Sequence, residues 1–164
     1  MARHLRNAGF RLKRTRTFEV NVLFDTPELR LRAAGSLLRV RQFGKEWVLT
    51  FKGPAKAGRH KSREELETQL ADGENLPAIL GRLGFEPVFR YEKYRTEYTD
   101  GEGIATIDET PIGDFVELEG SAAWIDAAAL KLGWSAADYI TKSYGKLYLD
   151  HCERRAILPS NMTF

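Results

Sequence analysis

The chain has 164 residues, of which 43% are hydrophobic, and a formal net charge of +2. This length and composition predict one globular domain over residues 1–164, with a hydrophobic core and no room for a second domain of ordinary size. The sequence has no run of about 18 apolar residues that could span a membrane, and its start lacks the apolar centre of a secretory signal. We therefore expect a soluble, cytoplasmic protein. With a single cysteine and no histidine cluster, a disulfide and a zinc site are not expected.

The first residues of the chain are strongly cationic, because Arg and Lys recur before the first acid, Glu19. Such a stretch could bind nucleic acid through its phosphates. However, Leu5, Ala8 and Phe10 have helical spacing, and Gly9 is a typical helix stop. The pattern favours a short helix with solvated faces, and salt-dependent nucleic-acid binding remains the alternative.

Short β-rich segments separated by turn residues follow along most of the chain. The predicted strands are 17–24, 36–43, 46–53, 60–69, 87–99, 103–109 and 114–119. A tight turn at Gly44-Lys45 joins the second and third strands as a hairpin, so most of the sheet should be antiparallel. Helices are predicted at 75–83, 121–132 and 135–149, and a mobile loop at 53–61. The fold class is therefore α+β.

Charged side chains fall on one face of the predicted strands, because successive strand residues point to opposite faces. Arg39 and Arg41 alternate with Leu38 and Val40 in the strand at 36–43. The same split recurs in other strands, where the residues on the charged side are Lys52, Arg63, Glu65, Glu67, Lys93, Arg95, Thr106, Asp108, Glu117 and Glu119.

An ordinary sheet with one solvated face is the simpler reading for any single strand. Across several strands, so regular a placement of charge favours a sheet curled with its charged face inward and its apolar face beneath the helices. Such a cavity must be wet and internally paired, because isolated buried charges are prohibitive. Arg and Lys complement phosphate oxygens, and clustered carboxylates hold Mg²⁺ or Mn²⁺. The presence of both basic and acidic side chains on one face therefore points to a metal–polyphosphate ligand.

Several blocks resemble the CYTH superfamily, the triphosphate tunnel metalloenzymes that include class IV adenylate cyclases, thiamine triphosphatases and inorganic triphosphatases. The blocks are VLFDTPELRLRAAGSLLRVR at 22–41, VLTFKGP at 48–54, SREELET at 62–68, FRYEKYRTEY at 89–98, ATIDETPIGDFVELEG at 105–120 and TKSYGKLY at 141–148. The resemblance implies an eight-stranded antiparallel barrel whose tunnel binds a triphosphate with a divalent metal. The blocks at 105–120 and 141–148 look most like the class IV cyclase branch.

Carried over by position, the resemblance implies phosphate binding by Arg39, Arg41, Lys52, Lys93 and Arg95. It implies metal binding by Glu65, Glu67, Glu117 and Glu119, with Mg²⁺ or Mn²⁺ as the cofactor. The catalytic candidates are Asp108 and Lys142. Asp108 would bind metal or orient a nucleophile, with a plain charge partner of Lys93 or Arg95 as the alternative. Lys142 would reach the substrate from the terminal helix, where Tyr144 is expected to pack.

The family's first strand, with its E-x-E-x-K signature, has no counterpart in this sequence. RHLRNAGF at 3–10 resembles the helix that follows that strand, so Met1 is expected to lie inside the family's first helix. An internal start codon, a shortened chain and a reduced protein are the open explanations. The leading expectation is a metal-dependent enzyme acting on ATP, thiamine triphosphate or inorganic triphosphate, as a cyclase or a triphosphatase. A non-catalytic triphosphate or polyphosphate binder is the alternative, and an exposed sheet edge makes a homodimer plausible.

Overall fold

The computed structural model describes residues 1–55 and 62–164. The strands are β1 (Arg11–Asp25), β2 (Leu37–Phe43), β3 (Glu46–Lys52), β4 (Glu65–Leu70), β5 (Glu86–Thr99), β6 (Ile104–Thr110) and β7 (Gly113–Glu119). The helices are α1 (Ala2–Asn7), α2 (Arg30–Ala33), α3 (Leu76–Arg82), α4 (Ala122–Lys131) and α5 (Tyr144–Arg155), with a 3-10 turn at Ala136–Asp138. No helix in these ranges is both long and apolar enough to cross a membrane.

The strands form one antiparallel sheet of seven strands in the order β4-β3-β2-β1-β5-β6-β7. The α+β class and the antiparallel sheet with helices packed around it are therefore confirmed. β1 lies in the middle, and β4 and β7 are the two edges among the described residues.

Two hydrophobic clusters cover the apolar face of the sheet. Near one end of β5 and β6, Leu5 of α1 and Trp124 of α4 pack with Tyr98 and Ala105. Farther along, Leu80 of α3 packs on Phe24 and Val40, together with partly buried residues of β1 to β3. Because these clusters take the apolar side chains of alternate strand positions, the charged positions are left on the other face.

Helix α5 packs on the opposite side of the sheet. Tyr148 and Cys152 form a third cluster with Tyr91 of β5 and with Met162, which makes a parallel bridge to Tyr91. Tyr91 has the same strand parity as Lys93, so α5 covers part of the face that carries the charges.

The structure corrects several predicted boundaries. β1 begins at Arg11 rather than at residue 17, because the cationic stretch after α1 pairs with the end of β5 and Arg14 is bound by Glu46 at 3.1 Å. Arg11 to Arg16 are thus strand residues, while the predicted short helix before Gly9 is confirmed as α1. β4 begins at Glu65, and residues 56–61 of the predicted strand and loop lie outside the described residues.

The single helix predicted at 135–149 is wrong. Ser135 caps only the 3-10 turn, and Ser143 then caps a separate helix that continues to Arg155. The residues between the two serines include Ile140 and Thr141, whose β-branched side chains disfavour helix. Two capping serines so close together therefore mark two helix starts.

Candidate functional site

Cross-strand pairing assembles the predicted charged residues on one surface of the sheet. Thr50 lies opposite both Arg39 and Glu67, and Arg95 lies opposite Asp108. We use "charged face" for this surface, whose members are Glu19, Asn21, Arg39, Arg41, Thr50, Lys52, Glu65, Glu67, Lys93, Arg95, Thr106, Asp108, Glu117 and Glu119.

The centre of the charged face is buried. Lys93 is 3% exposed, Arg95 6%, Glu19 1% and Asp108 0%. Ionised side chains are almost never buried to this degree unless they are paired. The reading of the charged face as an ordinary solvated surface is therefore wrong at its centre, although its outer members are more exposed.

Asp108 is the acceptor that joins this buried group. Lys93 Nζ donates to Asp108 Oδ2 at 2.8 Å, and Arg95 donates to both carboxylate oxygens, from Nε at 2.7 Å and from Nη2 at 2.6 Å. Burial alone would raise the pKa of Asp108, but the hydrogen bond from Arg95 and the charges of Lys93 and Arg95 outweigh it and lower the pKa to about 2. Asp108 is therefore the charge partner of both cations.

Arg95 also extends toward the edge strand β7. Its Nη2 donates to Glu117 Oε2, and its Nη1 lies 3.7 Å from Glu119 Oε1. Burial acts to lower the pKa of Arg95, but the Asp108 hydrogen bond and the charge of Glu117 raise it well above its ordinary value. The guanidinium remains charged, and it links two of the predicted metal-binding acids to the buried centre.

A second charged group lies across β2, β3 and β4. Arg39 Nη2 donates to Thr50 Oγ1 at 3.2 Å, and Thr50 Oγ1 donates to Glu67 Oε2 at 2.9 Å. Arg41 Nη2 reaches Glu67 Oε1 at 3.3 Å. The predicted phosphate-binding arginines of β2 thus share one acid, Glu67.

Lys52 and Glu65 form a separate pair at the end of this group. Lys52 Nζ donates to Glu65 Oε1 at 2.7 Å, and burial lowers the pKa of Lys52 despite that hydrogen bond. The nine predicted phosphate-binding and metal-binding residues are thus all on the charged face, in two groups on either side of β1.

The predicted catalytic residue Lys142 is not brought to the charged face. Its side chain is 55% exposed, and its ammonium donates to Asp150 Oδ2 of α5 at 2.6 Å. Tyr144 packs as expected, because its ring stacks on Tyr91, and its hydroxyl also donates to Asp108 Oδ2 at 2.6 Å. The sequence around Tyr144 does not predict the hydrogen bond to Asp108, because that contact depends on how α5 crosses the sheet.

Two residues of β1, Glu19 and Asn21, also belong to the charged face and were missed. Asn21 Nδ2 donates to Glu19 Oε1 at 2.8 Å, and Lys93 Nζ lies 3.5 Å from that same oxygen. Glu19 and Asn21 alternate with Val20 and Val22, so the parity rule applied to β1 would have found them.

Several polar atoms of the charged face are buried without a hydrogen-bond partner. Among the described residues they are Glu19 Oε2, Asn21 Oδ1, Arg39 Nε, Arg41 Nε and Thr106 Oγ1. Leaving such an atom unpaired costs about 1 to 3 kcal/mol, and more when the group is charged. A cluster of them on one surface is typical of a site that a polar ligand or ordered water completes.

The residues at hand do not form a complete metal cage. Within residues 1–55 and 62–164, no three His, Cys, Asp or Glu side chains are placed to hold one metal ion. The acids of the charged face are instead engaged by its own cations, as Asp108 and Glu117 are by Arg95. The donor set therefore does not fit a resident Mg²⁺ or Mn²⁺.

The fold and this surface define a protein class: an antiparallel sheet with helices packed around it and a partly buried surface of paired basic and acidic side chains. The chain belongs to the CYTH domain family, whose model matches residues 2–144. A protein of Methanocaldococcus jannaschii that carries a provisional adenylate cyclase name is 31% identical over 123 residues, which are 74% of this chain and 70% of that protein.

Solved structures have the same fold. A Vibrio parahaemolyticus protein, also provisionally named an adenylate cyclase, superimposes with a TM-score of 0.79 at 19% identity, over 89% of this chain and 88% of that one. HpAC1 of Hippeastrum, provisionally named an adenylyl cyclase and described as having a dominant triphosphatase activity, gives a TM-score of 0.62 at 19% identity, over 96% of this chain and 90% of that one.

Proposed function

We propose that the charged face binds a triphosphate together with a divalent metal and catalyses transfer at one of its phosphorus atoms. The observation that carries this proposal is the pair of unpartnered, buried Nε–H groups of Arg39 and Arg41, two fixed cationic donors on one strand. Guanidinium groups match the planar, two-point geometry of phosphate oxygens. A polyanion is the ligand that would satisfy both donors at once.

The divalent metal would arrive with the triphosphate as part of the substrate. Mg²⁺ keeps several waters and is commonly held by one or two carboxylates plus substrate phosphates, so a protein cage of three ligands is not required. The β7 side of the charged face would meet the metal end, because its carboxylates Glu117 and Glu119 are 37% and 56% exposed, unlike the buried Glu19 and Asp108. Glu65 and Glu67 of β4 would lie near the opposite end of the ligand.

The leading activity is that of a class IV adenylate cyclase, which converts ATP to cyclic AMP and pyrophosphate. It is supported by the family membership and by the name of the M. jannaschii relative. The second candidate is a triphosphatase acting on inorganic or thiamine triphosphate, which the described activity of the Hippeastrum protein favours. The same arginines would bind the phosphates in either reaction, since both reactions accumulate charge on phosphate oxygens.

Product analysis separates these activities. The purified chain is incubated with ATP and Mn²⁺, and in parallel with inorganic and thiamine triphosphate, and the products are resolved by chromatography. Cyclic AMP with pyrophosphate identifies a cyclase, and orthophosphate identifies a triphosphatase. Binding of triphosphate without turnover at any metal concentration would identify a non-catalytic binder.

A matched pair of arginine variants tests the binding surface itself. Arg41→Met should weaken inorganic triphosphate binding about 10- to 100-fold, because a hydrogen bond to a charged group contributes about 1.5 to 3 kcal/mol. Arg90→Met is the control: Arg90 lies on the apolar side of β5 and pairs with Glu92 at 2.6 Å. Equal losses in both variants, or no triphosphate binding by the wild type, would refute the proposed site.

A further inference from the structure

Glu19 occupies the centre of the charged face. It lies on β1, the middle strand of the sheet, opposite Lys93 of β5, while its neighbour Asn21 lies opposite Arg41 of β2. Any ligand that touches the basic pairs of both β2 and β5 must therefore cross β1 at or beside Glu19 and Asn21.

The Glu19 carboxylate is fixed, and one of its oxygens is left without a hydrogen bond. Oε1 accepts from Asn21 Nδ2 at 2.8 Å, whereas Oε2 has no hydrogen-bond partner among the described residues and is 4.0 Å from Arg95 Nε. The side chain is only 1% exposed, so bulk water does not solvate this oxygen. The free oxygen is thus held at a buried position on the charged face, beside the cations of β5.

The chemistry of the neighbours restricts what the free oxygen can accept. A phosphate presents only acceptor oxygens and would repel the carboxylate, so a hydrogen-bond donor or a cation must lie between them. A divalent cation is disfavoured there, because Lys93 and Arg95 already place two positive charges within 4.0 Å of the Glu19 carboxylate. An uncharged donor of the ligand or a bound water is the remaining partner, and in a reacting triphosphate complex that donor can be a hydroxyl.

In phosphoryl and nucleotidyl transfer, the hydroxyl that must lie against phosphorus is the attacking nucleophile. We propose, on the basis of the function proposed above, that Glu19 Oε2 accepts the hydrogen bond of this nucleophile, a water or a hydroxyl of the ligand. Asn21 is the positioning residue that aims the carboxylate.

The step balances in protons and electron pairs. The hydroxyl oxygen forms a bond to phosphorus, and the bridging P–O bond breaks with its electron pair remaining on the leaving phosphate. The hydroxyl proton passes to Glu19 Oε2 and then to the leaving phosphate or to solvent. Burial acts to raise the pKa of Glu19, but the charges of Lys93 and Arg95 lower it, so the carboxylate is ionised and able to accept at neutral pH.

The first test is Glu19→Gln, which keeps the shape and the Asn21 contact but replaces the free oxygen with an amide nitrogen that cannot accept. With the preferred triphosphate and Mn²⁺, kcat should fall about 100- to 10,000-fold while KM changes little. Binding of inorganic triphosphate should be retained. Glu92→Gln is the matched control, because Glu92 is a buried, ion-paired acid on the other face of β5, bound by Arg90 at 2.6 Å. It should leave kcat unchanged.

The second variant is Asn21→Ala, which decides the question if Glu19→Gln does not fold. It removes the donor that aims Glu19, and it should lower kcat at unchanged KM. An unchanged kcat in the folded Glu19 variant, or in Asn21→Ala, overturns the assignment and leaves the proposed function standing. Recovery of the Glu19→Gln kcat at high Mn²⁺ also overturns it, because the oxygen would then bind a cation. A wild type that binds triphosphates but turns none over overturns both proposals as catalytic ones.

Discussion

Replacing Asp108 with Asn would remove the charge that holds the centre of the charged face together. Asp108 is fully buried and accepts hydrogen bonds from Lys93, Arg95 and Tyr144 at 2.6 to 2.8 Å. Asn has nearly the same shape, so the substitution removes one charge and one acceptor without opening a cavity. Any loss of stability therefore reports on electrostatics rather than on packing.

Two estimates give the size of the effect. The drop in the pKa of Asp108 from 3.8 to about 2 corresponds to roughly 2 to 3 kcal/mol of folding stability at neutral pH, at about 1.4 kcal/mol per pH unit. Removing one partner of a buried ion pair costs about 3 to 5 kcal/mol, because the remaining charges are left uncompensated. We expect Asp108→Asn to lower the free energy of unfolding at pH 7 by roughly 3 to 5 kcal/mol.

The pH dependence of folding stability independently checks whether the ionised Asp108 carboxylate stabilises the fold. The folded pKa lies below the ordinary value, so the stabilisation is present above pH 3.8 and is lost as the pH falls toward about 2. The wild type should lose stability in that window, and the part of the loss due to Asp108 should be missing in Asp108→Asn.

Urea denaturation at pH 7, and in steps from about pH 5 to about pH 2, measures both effects, provided that the slope m is the same for all variants. Asp114→Asn is the control, because Asp114 is an exposed acid on the neighbouring strand β7. A free energy of unfolding for Asp108→Asn within about 1 kcal/mol of the wild type at pH 7, with a parallel acid profile, would refute this reasoning.

Three further variants test other parts of the charged face and of α5. Tyr144→Phe keeps the ring but removes the hydroxyl that donates to Asp108, so urea denaturation should show a loss of about 1 kcal/mol; unchanged stability would contradict the contact. Lys142→Ala should leave kcat/KM unchanged, because its ammonium binds Asp150 at the surface, and a large drop would show that Lys142 leaves Asp150 to reach the substrate. Glu119→Gln should change stability by less than about 0.5 kcal/mol, since Glu119 is 56% exposed. If Glu119 contacts the metal of the substrate, the Mn²⁺ concentration for half-maximal turnover should rise, and an unchanged metal requirement would count against it.

The sheet could be predicted from the sequence because its signals are local. Alternation of charged and apolar residues marks β2, β3 and β7, and the Gly44-Lys45 turn fixes one hairpin. The start of β1 and the break before α5 could not be predicted in the same way. The Arg11 end of β1 is a strand only because the end of β5, distant in sequence, supplies its partner.

Strand parity can predict the strand residues of the candidate site, but it cannot predict their pairing or the contribution of α5. Strand parity places Arg95 and Asp108 on the same face, whereas their direct contact depends on the β5–β6 register. The position of Tyr144 depends on the path of α5 across the sheet. Short-range patterns therefore identify which side chains lie on the charged face, and long-range packing decides which of them contact each other.

The contacts of the charged face separate its residues by what each can offer a ligand. Both oxygens of Asp108 are already bound by the protein, so Asp108 serves mainly to keep Lys93 and Arg95 in place. Arg41 has a free donor, and Glu19 has a free acceptor. Removing the Asp108 carboxylate should therefore reduce stability. Removing the Arg41 donor should reduce affinity for triphosphate, and removing the Glu19 acceptor should reduce turnover. Because each effect is read by a different measurement, a uniform loss of all three in any one variant would indicate unfolding rather than a role at the site.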